Sequence, residues 1–472
     1  MKLTHEQKEI VKYDLALNDI LKIIAFAGTG KTTTLLEYAK ARPDVKFLYV
    51  CFNKATQLEA EKKFPFNVKC KTSHSLAWRN FGAQYKNKLV NNIKANTIMD
   101  VLNLESYEEA KFTYDTLLKF IVSKDDFIHN HHIPINARQY YDINKSNLPN
   151  FVKLANDLWK IMCDENNSSI GMIHDGYLKL FQLSNPKLNF DCILLDEAQD
   201  TNPVTASFLL NQKCSKILVG DPYQQIYSWR GAINAMENVI SSDTKYLTNS
   251  FRFGNNIAEL ANTLLYSFKN ESRKLIGVKG DKDLIDKVYG NYTVISRTNA
   301  EIFDTSVSLY KKYKIGFIGG IEGYRFNDIV DTYYLYSKNL SNIRDSYIRS
   351  FKTYSKLKEF ANAVEDWEIK SRCNIVEKYK NKIPKLVKDI TDNSVDVEDA
   401  EIILTTAHKS KGMEFNQVKI TNDFSKLVEN EDLTDVDSEE INLIYVAVTR
   451  AKYKLEIPEK IIDFKEFCKS IQ

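Results

Sequence analysis

An α/β fold built on mainly parallel sheets is the architecture this sequence predicts, and two observations carry it. Short apolar runs ending in polar or glycine punctuation recur along the chain, and helical patterns separate them. A parallel sheet with helical crossovers requires that alternation. Residues 22–27 (KIIAFA), 46–52 (KFLYVCF), 191–195 (DCILL) and 216–219 (KILV) read as buried strands of a first core. Residues 292–296 (YTVIS), 315–318 (IGFI), 402–405 (IILT), 418–421 (VKIT) and 454–457 (KLEI) read as strands of a second. Ligands of such folds bind beyond the carboxyl ends of the strands, where most of the polar motifs lie.

The 472 residues exceed one compact domain of usual size and predict two to four. Two stretches lack strand signals and read as helical insertions. The expected organisation is a first core of residues 1–84 and 166–247, with an insertion at 85–165. A second core of residues 248–332 and 400–472 carries a shorter insertion at 333–399. Two acidic segments, 391–400 (TDNSVDVEDA) and 429–440 (ENEDLTDVDSEE), read as solvated loops. There is no internal repeat and no low-complexity tract.

The net charge of +3 excludes a globally basic nucleic-acid binder but not a local basic stripe. The seven cysteines, Cys51, Cys70, Cys163, Cys192, Cys214, Cys373 and Cys468, form no C-x-x-C pair. That pattern argues for reduced thiols rather than a disulfide scaffold or zinc site. The opening MKLTHEQKEIVKYD has no apolar core of a signal peptide, and no run is long enough to span a membrane. The expectation is a cytoplasmic protein, or a nuclear one in a eukaryote, neither secreted nor membrane-bound.

Phosphate chemistry enters at AFAGTGKTTT, residues 25–34, which follows the first strand and opens a helix. It fits the P-loop pattern with Ala25 in the place of the first glycine. Gly28 and Gly30 let backbone N–H groups wrap phosphates, and the helix N-terminus adds partial positive charge. Lys31 is placed to reach the β- and γ-phosphates, and the Thr32 hydroxyl to ligate Mg²⁺. LLDEAQD, residues 194–200, ends another buried strand. Asp196 is expected to hold Mg²⁺ through water and Glu197 to orient and deprotonate the attacking water; alone, the pair could equally cap a helix. A loose phosphoryl-transfer transition state needs positive charge. Arg252 in LTNSFRFG and Arg450 in LIYVAVTRA are expected to supply it, although an isolated arginine is more often a surface ion pair. The loop VGDPYQQIYSWRGA, residues 219–232, combines glutamines suited to a phosphate or water with aromatics suited to a base.

The ordered series AFAGTGKT, YVCFNKAT, CKTSHSLAW, HDGYLKLFQL, LLDEAQDTNP, VGDPYQQIYSWRGA, LTNSFRFG, ISRTNAE, TTAHKSKGMEF and NLIYVAVTRA spans nearly the whole chain. It resembles superfamily 1 DNA helicases of the UvrD/Rep type, and within them the F-box DNA helicase branch. No F-box is expected, because the glutamine motif begins within the first ten residues. The resemblance implies two RecA-like P-loop NTPase cores with ATP and Mg²⁺ in the cleft between them. It implies 3′ to 5′ movement on single-stranded DNA and at junctions with duplex, by a monomer that works with repair, recombination or replication proteins.

Residue by residue, the resemblance implies that Gln7 reads adenine and Phe251 stacks on it. Ala27, Gly28, Thr29, Gly30, Lys31, Thr32 and Thr33 cradle the nucleotide, and Glu414 lies near the ribose or the coupling path. Gln224 matches the γ-phosphate sensor. Trp229 and Arg230 are implied to touch a stacked base and nearby backbone, since stacking tolerates any sequence. Phe52, Asn53, Thr72, His74, Thr298, Asn299, His408 and Lys409 match the strand-binding face; His74 and His408 read equally well as buried structural histidines. The run His129–His132 (HNHH) has no ligand partner suggested by spacing and reads as a solvated loop rather than a metal site. The basic helical stretch at 370–388 reads as a solvated face. The short second insertion puts processive unwinding in doubt and leaves two further readings open: an ATP-driven switch that grips or strips strands, and an ATPase partner of a separate nuclease.

Overall fold

The computed structural model describes residues 2–143, 147–227, 234, 236, 239–363, 366–424, 437–459 and 461. The chain divides into two compact units, Met1–Ala25 with Gly30–Leu247, and Phe26–Thr29 with Thr248–Gln472.

The strands of the first unit are β1 (Ile20–Ala25), β2 (Phe47–Cys51), β3 (Val68–Thr72), β4 (Leu89–Val90), β5 (Met172–Ile173), β6 (Cys192–Leu195), β7 (Ser215–Gly220) and β8 (Asp243–Leu247). Six of them form one parallel sheet in the order β3-β2-β6-β7-β1-β8, and β4 pairs with β5 apart from it. Every residue of β2, β6 and β7 is buried, as expected of a parallel sheet covered on both faces. The side-chain period of two divides β2 between two cores. Phe47, Tyr49 and Cys51 pack with Leu35, Tyr38 and Leu194 on the face that carries the helix Lys31–Lys40. Leu48 and Val50 pack with Ile193 and Leu195 on the other face, where Leu117, Phe120, Ala155 and Leu158 join the same core. Those last residues lie on helices Tyr107–Val122 and Phe151–Cys163, so this helical segment completes a core rather than standing apart from it.

The second unit has β9 (Asn249–Ser250), β10 (Ile276–Gly277), β11 (Leu284–Ile285), β12 (Tyr292–Ser296), β13 (Ile315–Phe317), β14 (Ser394–Val395), β15 (Ile402–Thr406), β16 (Phe415–Ile420) and β17 (Ala451–Glu456). Seven form a parallel sheet in the order β11-β17-β16-β12-β15-β13-β14. Helices Phe326–Tyr336, Trp367–Tyr379 and Ile383–Asn393 bury Ile329, Val376, Ile383 and Ile390 against Val294 and Leu404 of this sheet.

Three local expectations change. Residues 391–393 complete the helix Ile383–Asn393, and 394–395 form strand β14, so this acidic segment is a loop only in its second half. Residues 438–440 of the other acidic segment begin the helix Ser438–Val448, with Glu439 and Glu440 at its positive end; residues 429–436 lie outside the described residues.

The third change concerns the histidines. His132 is 2% exposed, and its Nδ1 accepts the His129 N–H at 2.9 Å. Its Nε2 lies 3.1 Å from Ser123 Oγ and 3.2 Å from Asp125 Oδ2, while His131 Nε2 lies 2.6 Å from the same oxygen. Asp125 is thus the carboxylate partner that spacing did not suggest. Below it the buried Lys179 ammonium donates to the carbonyls of Ser123 at 3.0 Å and Asp125 at 2.5 Å. The cluster brings three residues of metal-ligating type together, but its chemistry is that of a brace. With Nδ1 accepting a backbone N–H, the neutral His132 ring carries its proton on Nε2 and has no lone pair there for a cation.

Burial, aided by His131, holds the His132 ring below its ordinary value. Its contribution to stability is therefore complete above the free-histidine value of about 6.5 and is lost as pH falls through that value toward the folded one. Thermal melts followed by circular dichroism should show a transition temperature that drops from pH 7 to pH 5. His132→Gln, which keeps a hydrogen-bonding side chain without the titration, should flatten that drop.

Candidate functional site

The first unit builds a chain of polar contacts along the carboxyl ends of β1, β2, β6 and β7. The turn after β1 needs left-handed backbone at Gly28 (φ 74°) and Gly30 (φ 80°), which glycine adopts without strain. Gly30 then starts the helix Lys31–Lys40. Lys31 extends from the first position, and its Nζ lies 2.7 Å from Glu197 Oε2. Thr32 Oγ1 donates to Asp196 Oδ2 at 3.1 Å. Asp196 Oδ2 also accepts the buried Tyr49 hydroxyl at 2.6 Å, and Oδ1 accepts the Glu197 N–H at 2.9 Å.

The chain continues beyond Glu197, itself held at φ 52°. Gln199 Nε2 donates to Glu197 Oε2 at 2.7 Å, and Gln199 Oε1 accepts the Asp221 N–H at 3.1 Å. Gln224 Nε2 donates to Asp221 Oδ2 at 2.6 Å. Lys31, Glu197, Gln199, Asp221 and Gln224 are thereby linked without a gap. Gly220 makes the link possible, since a Cβ there would lie 2.3 Å from Gln199 Oε1.

Charge at this site is unbalanced toward negative. Burial alone would lower the Lys31 pKa, but Glu197, Asp196 and Asp221 outweigh it and hold the ammonium above its ordinary value. Burial and the neighbouring Glu197 push the Asp196 carboxyl up, against the pull of Lys31. Among the described residues, the carboxylates of Glu197, Asp196 and Asp221 face Lys31. The Thr32 hydroxyl and Asp196 carboxylate are hard oxygen donors, so the donor set and the surplus charge both suit a divalent cation such as Mg²⁺.

Gln7 is 2% exposed and its amide is committed on both sides. Oε1 accepts the Thr4 N–H at 3.1 Å, and Nε2 donates to Thr34 Oγ1 at 3.1 Å. Thr29 turns its hydroxyl onto the Phe26 carbonyl at 2.8 Å.

A cavity of about 330 Å³ in the first unit is lined by Asp196 and Glu197 together with Phe52, His74, Asp175 and Tyr227. Phe52 is 51% exposed and stacks on Tyr227, with ring centroids 5.8 Å apart and planes 10° from parallel. His74 Nε2 lies 2.9 Å from Asp175 Oδ1. Asn53 and Thr72 cap the helices Lys54–Lys63 and Ser73–Ala77. Sequence reasoning left Tyr49, Gln199, Asp175 and Tyr227 without roles; only Tyr227 carried a signal, as an aromatic beside Trp229 and Arg230. Those last two lie outside the described residues.

The second unit holds the remaining expected residues. Phe251 donates its N–H to the Gly28 carbonyl at 2.8 Å, and a Cβ on Gly28 would lie 2.7 Å from Arg252 Cβ. Arg252 Nε donates to Glu414 Oε2 at 3.2 Å, and Nη1 to the Thr449 carbonyl at 3.0 Å. Burial would raise the Glu414 pKa, but Arg252 and Lys452 outweigh it and hold the carboxyl below its ordinary value. Arg450 is 1% exposed and donates to the carbonyls of Val446 at 2.9 Å and Met413 at 3.1 Å. Thr298 is also buried. Its hydroxyl caps the helix Asn299–Leu309 and donates to Asp423 Oδ2 at 3.1 Å, while Asn299 takes the helix's first position, half-buried. His408 and Lys409 lie on the short helix Ala407–Ser410, with Lys409 Nζ 3.7 Å from the centre of the Tyr324 ring.

A profile of the UvrD-like helicase C-terminal domain matches residues 77–459. The chain belongs to the UvrD-like helicase family. Among relatives of this UvrD-like chain, F-box DNA helicase 1 of Gallus gallus is 36% identical, over 96% of the chain and 48% of the relative. F-box DNA helicase protein 1 of Schizosaccharomyces pombe is 35% identical, over 97% of the chain and 58% of the relative. ATP-dependent DNA helicase PcrA of Leuconostoc citreum is 27% identical over 33% of the chain and 26% of the relative. The UvrD-like chain therefore spans about half the length of the two F-box relatives.

Because ionised Asp196 is held against its own burial, its charge opposes folding once pH exceeds the ordinary carboxylate range. Asp196→Asn should raise the melting temperature of the nucleotide-free protein at pH 7 by about 2–4 °C, the shift that ~1 kcal/mol produces in a unit of this size. The gain should shrink at pH 5, and calorimetry at the two pH values checks both.

Proposed function

We propose that the protein is an ATP-dependent DNA helicase or translocase that moves 3′ to 5′ along single-stranded DNA. The observation that carries the reading is the cavity of the first unit, which Asp196 and Glu197 share with Phe52, His74 and Tyr227. Carboxylates suited to nucleotide hydrolysis and aromatics suited to stacking on bases open onto the same space. Family membership and the names of the F-box and PcrA relatives support DNA as the strand.

In this reading Lys31 meets the β- and γ-phosphates, leaving its contact with Glu197 to do so. Thr32 and Asp196 hold Mg²⁺, which neutralises phosphate charge when bound. Glu197 orients the attacking water and takes its proton. Gln224 senses the γ-phosphate, and its contacts through Asp221 and Gln199 reach the same Glu197 carboxylate. Arg252 and Arg450 are proposed as the charges that answer the transferring phosphoryl group. Gln7, on leaving its contacts with Thr4 and Thr34, and Phe251 are proposed to hold the adenine. On the strand side, a base inserted against Phe52 or Tyr227 gains about 1–3 kcal/mol of sequence-tolerant stacking.

The test is ATP-dependent displacement of a labelled strand from duplexes carrying a 3′ or a 5′ single-stranded tail. Displacement from the 3′ tail alone is the expected outcome. Opening of the 5′-tailed duplex alone would reverse the polarity; hydrolysis stimulated by single strands with neither duplex opened would favour a strand-gripping switch. Glu197→Gln should lower the ATPase turnover by about 10²-fold or more while strand affinity stays near that of the parent. Tyr227→Ala should do the converse, weakening single-strand binding by about 1–3 kcal/mol, readable by fluorescence anisotropy.

A further inference from the structure

We propose that Tyr49 is a positioning residue for the metal-holding carboxylate, its hydroxyl fixing Asp196 so that Oδ1 is the oxygen left open to the cation. The inference rests on the reading above that Thr32 and Asp196 hold a divalent ion. Tyr49 is fully buried in the middle of β2, with its ring 4.7 Å from that of Phe64. Pairing of β2 with β6 sets Tyr49 opposite Leu194, two residues before Asp196, and the Asp196 N–H donates to the Val50 carbonyl at 3.0 Å. The sheet register therefore sets both the height of the tyrosine and the start of the carboxylate.

Each carboxylate oxygen offers about two lone-pair sites. Asp196 Oδ2 accepts both Tyr49 at 2.6 Å and Thr32 at 3.1 Å, which fills it. Among the described residues Oδ1 accepts only the Glu197 N–H, at 2.9 Å, and keeps one site. A carboxylate that offers one lone pair in a fixed direction suits Mg²⁺, which demands near-octahedral geometry, better than Ca²⁺, which takes bidentate carboxylates. Partners that orient a metal ligand are typically worth about 10–100-fold in metal affinity.

Tyr49→Phe removes the hydroxyl and keeps the ring. The full chain, Tyr49→Phe and Asp196→Asn would be titrated with Mn²⁺ in the presence of a non-hydrolysable adenine nucleotide. Free Mn²⁺ is read by electron paramagnetic resonance, and metal-free nucleotide affinity is measured in EDTA. The expected result is Mn²⁺ affinity about 10–100-fold weaker in Tyr49→Phe, with metal-free nucleotide affinity and circular dichroism unchanged. Equal Mn²⁺ affinity in the parent and Tyr49→Phe overturns the inference, and loss of Mn²⁺ in Asp196→Asn then leaves the metal reading standing. Mn²⁺ binding that survives Asp196→Asn removes the metal reading and the inference together. Parallel loss of metal-free nucleotide affinity in Tyr49→Phe also overturns it, since a tyrosine that only fills the core would act on both.

Discussion

The ammonium of Lys31 against Glu197 and Asp196 is the interaction on which the rest of the first unit's polar architecture depends. Burying Asp196 beside a half-buried Glu197 is expensive, and the Lys31 ammonium, 2.7 Å from Glu197, offsets only part of that. The remainder is distributed through hydrogen bonds. Tyr49, Thr32 and the Glu197 amide satisfy Asp196, while Gln199 satisfies Glu197. Such an arrangement is not an economical way to stabilise a protein. Its clustered negative charge suits a further cation.

The same contacts explain why distant sequence motifs act as one. Gln199 lies one turn beyond Glu197, and its amide bridges from β6 to Asp221 at the end of β7. Gln224 closes on Asp221 through the tight turn that Pro222 begins. A change at Gln224 is therefore three hydrogen bonds from the Glu197 carboxylate, through side chains that are mostly buried. Parallel strands make this possible, because they deliver the carboxyl ends of β1, β2, β6 and β7 to the same end of the sheet.

Short polar residues at those strand ends have a double character. Asn53, Thr72, Thr298 and Thr406 each cap the helix that follows its strand, accepting the N–H three residues on. In the motif pattern three of them look like strand contacts. In the structure their first task is to end a strand and begin a helix, and Thr298 has no exposed surface beyond it. Neighbouring aromatics are free of that duty, which is why Phe52 stands exposed and stacked on Tyr227.

Much was legible in the sequence for a physical reason: strands buried on both faces must be continuously apolar. Residues 292–296 form β12 with the predicted boundaries, and β2, β6 and β7 fall within a residue or two of theirs. β3 (VKCKT) and β8 (DTKYL) escaped because they are the sheet's edges and carry lysines on their open sides. Lys31, Thr32, Asp196 and Glu197 stood out from their spacing after buried strands, and the structure brings them within hydrogen-bonding distance of one another. Tyr49 did not, since a tyrosine inside an apolar run looks like any core residue until the register of β2 on β6 sets its hydroxyl beside Asp196. Asp125 and His132 were equally illegible, because seven residues of sequence separate groups that hydrogen bonding brings together. Local sequence determined the inner strands and the glycine turn after β1; only tertiary structure decided which buried polar atoms share a partner, because that depends on how separate segments pair in the fold.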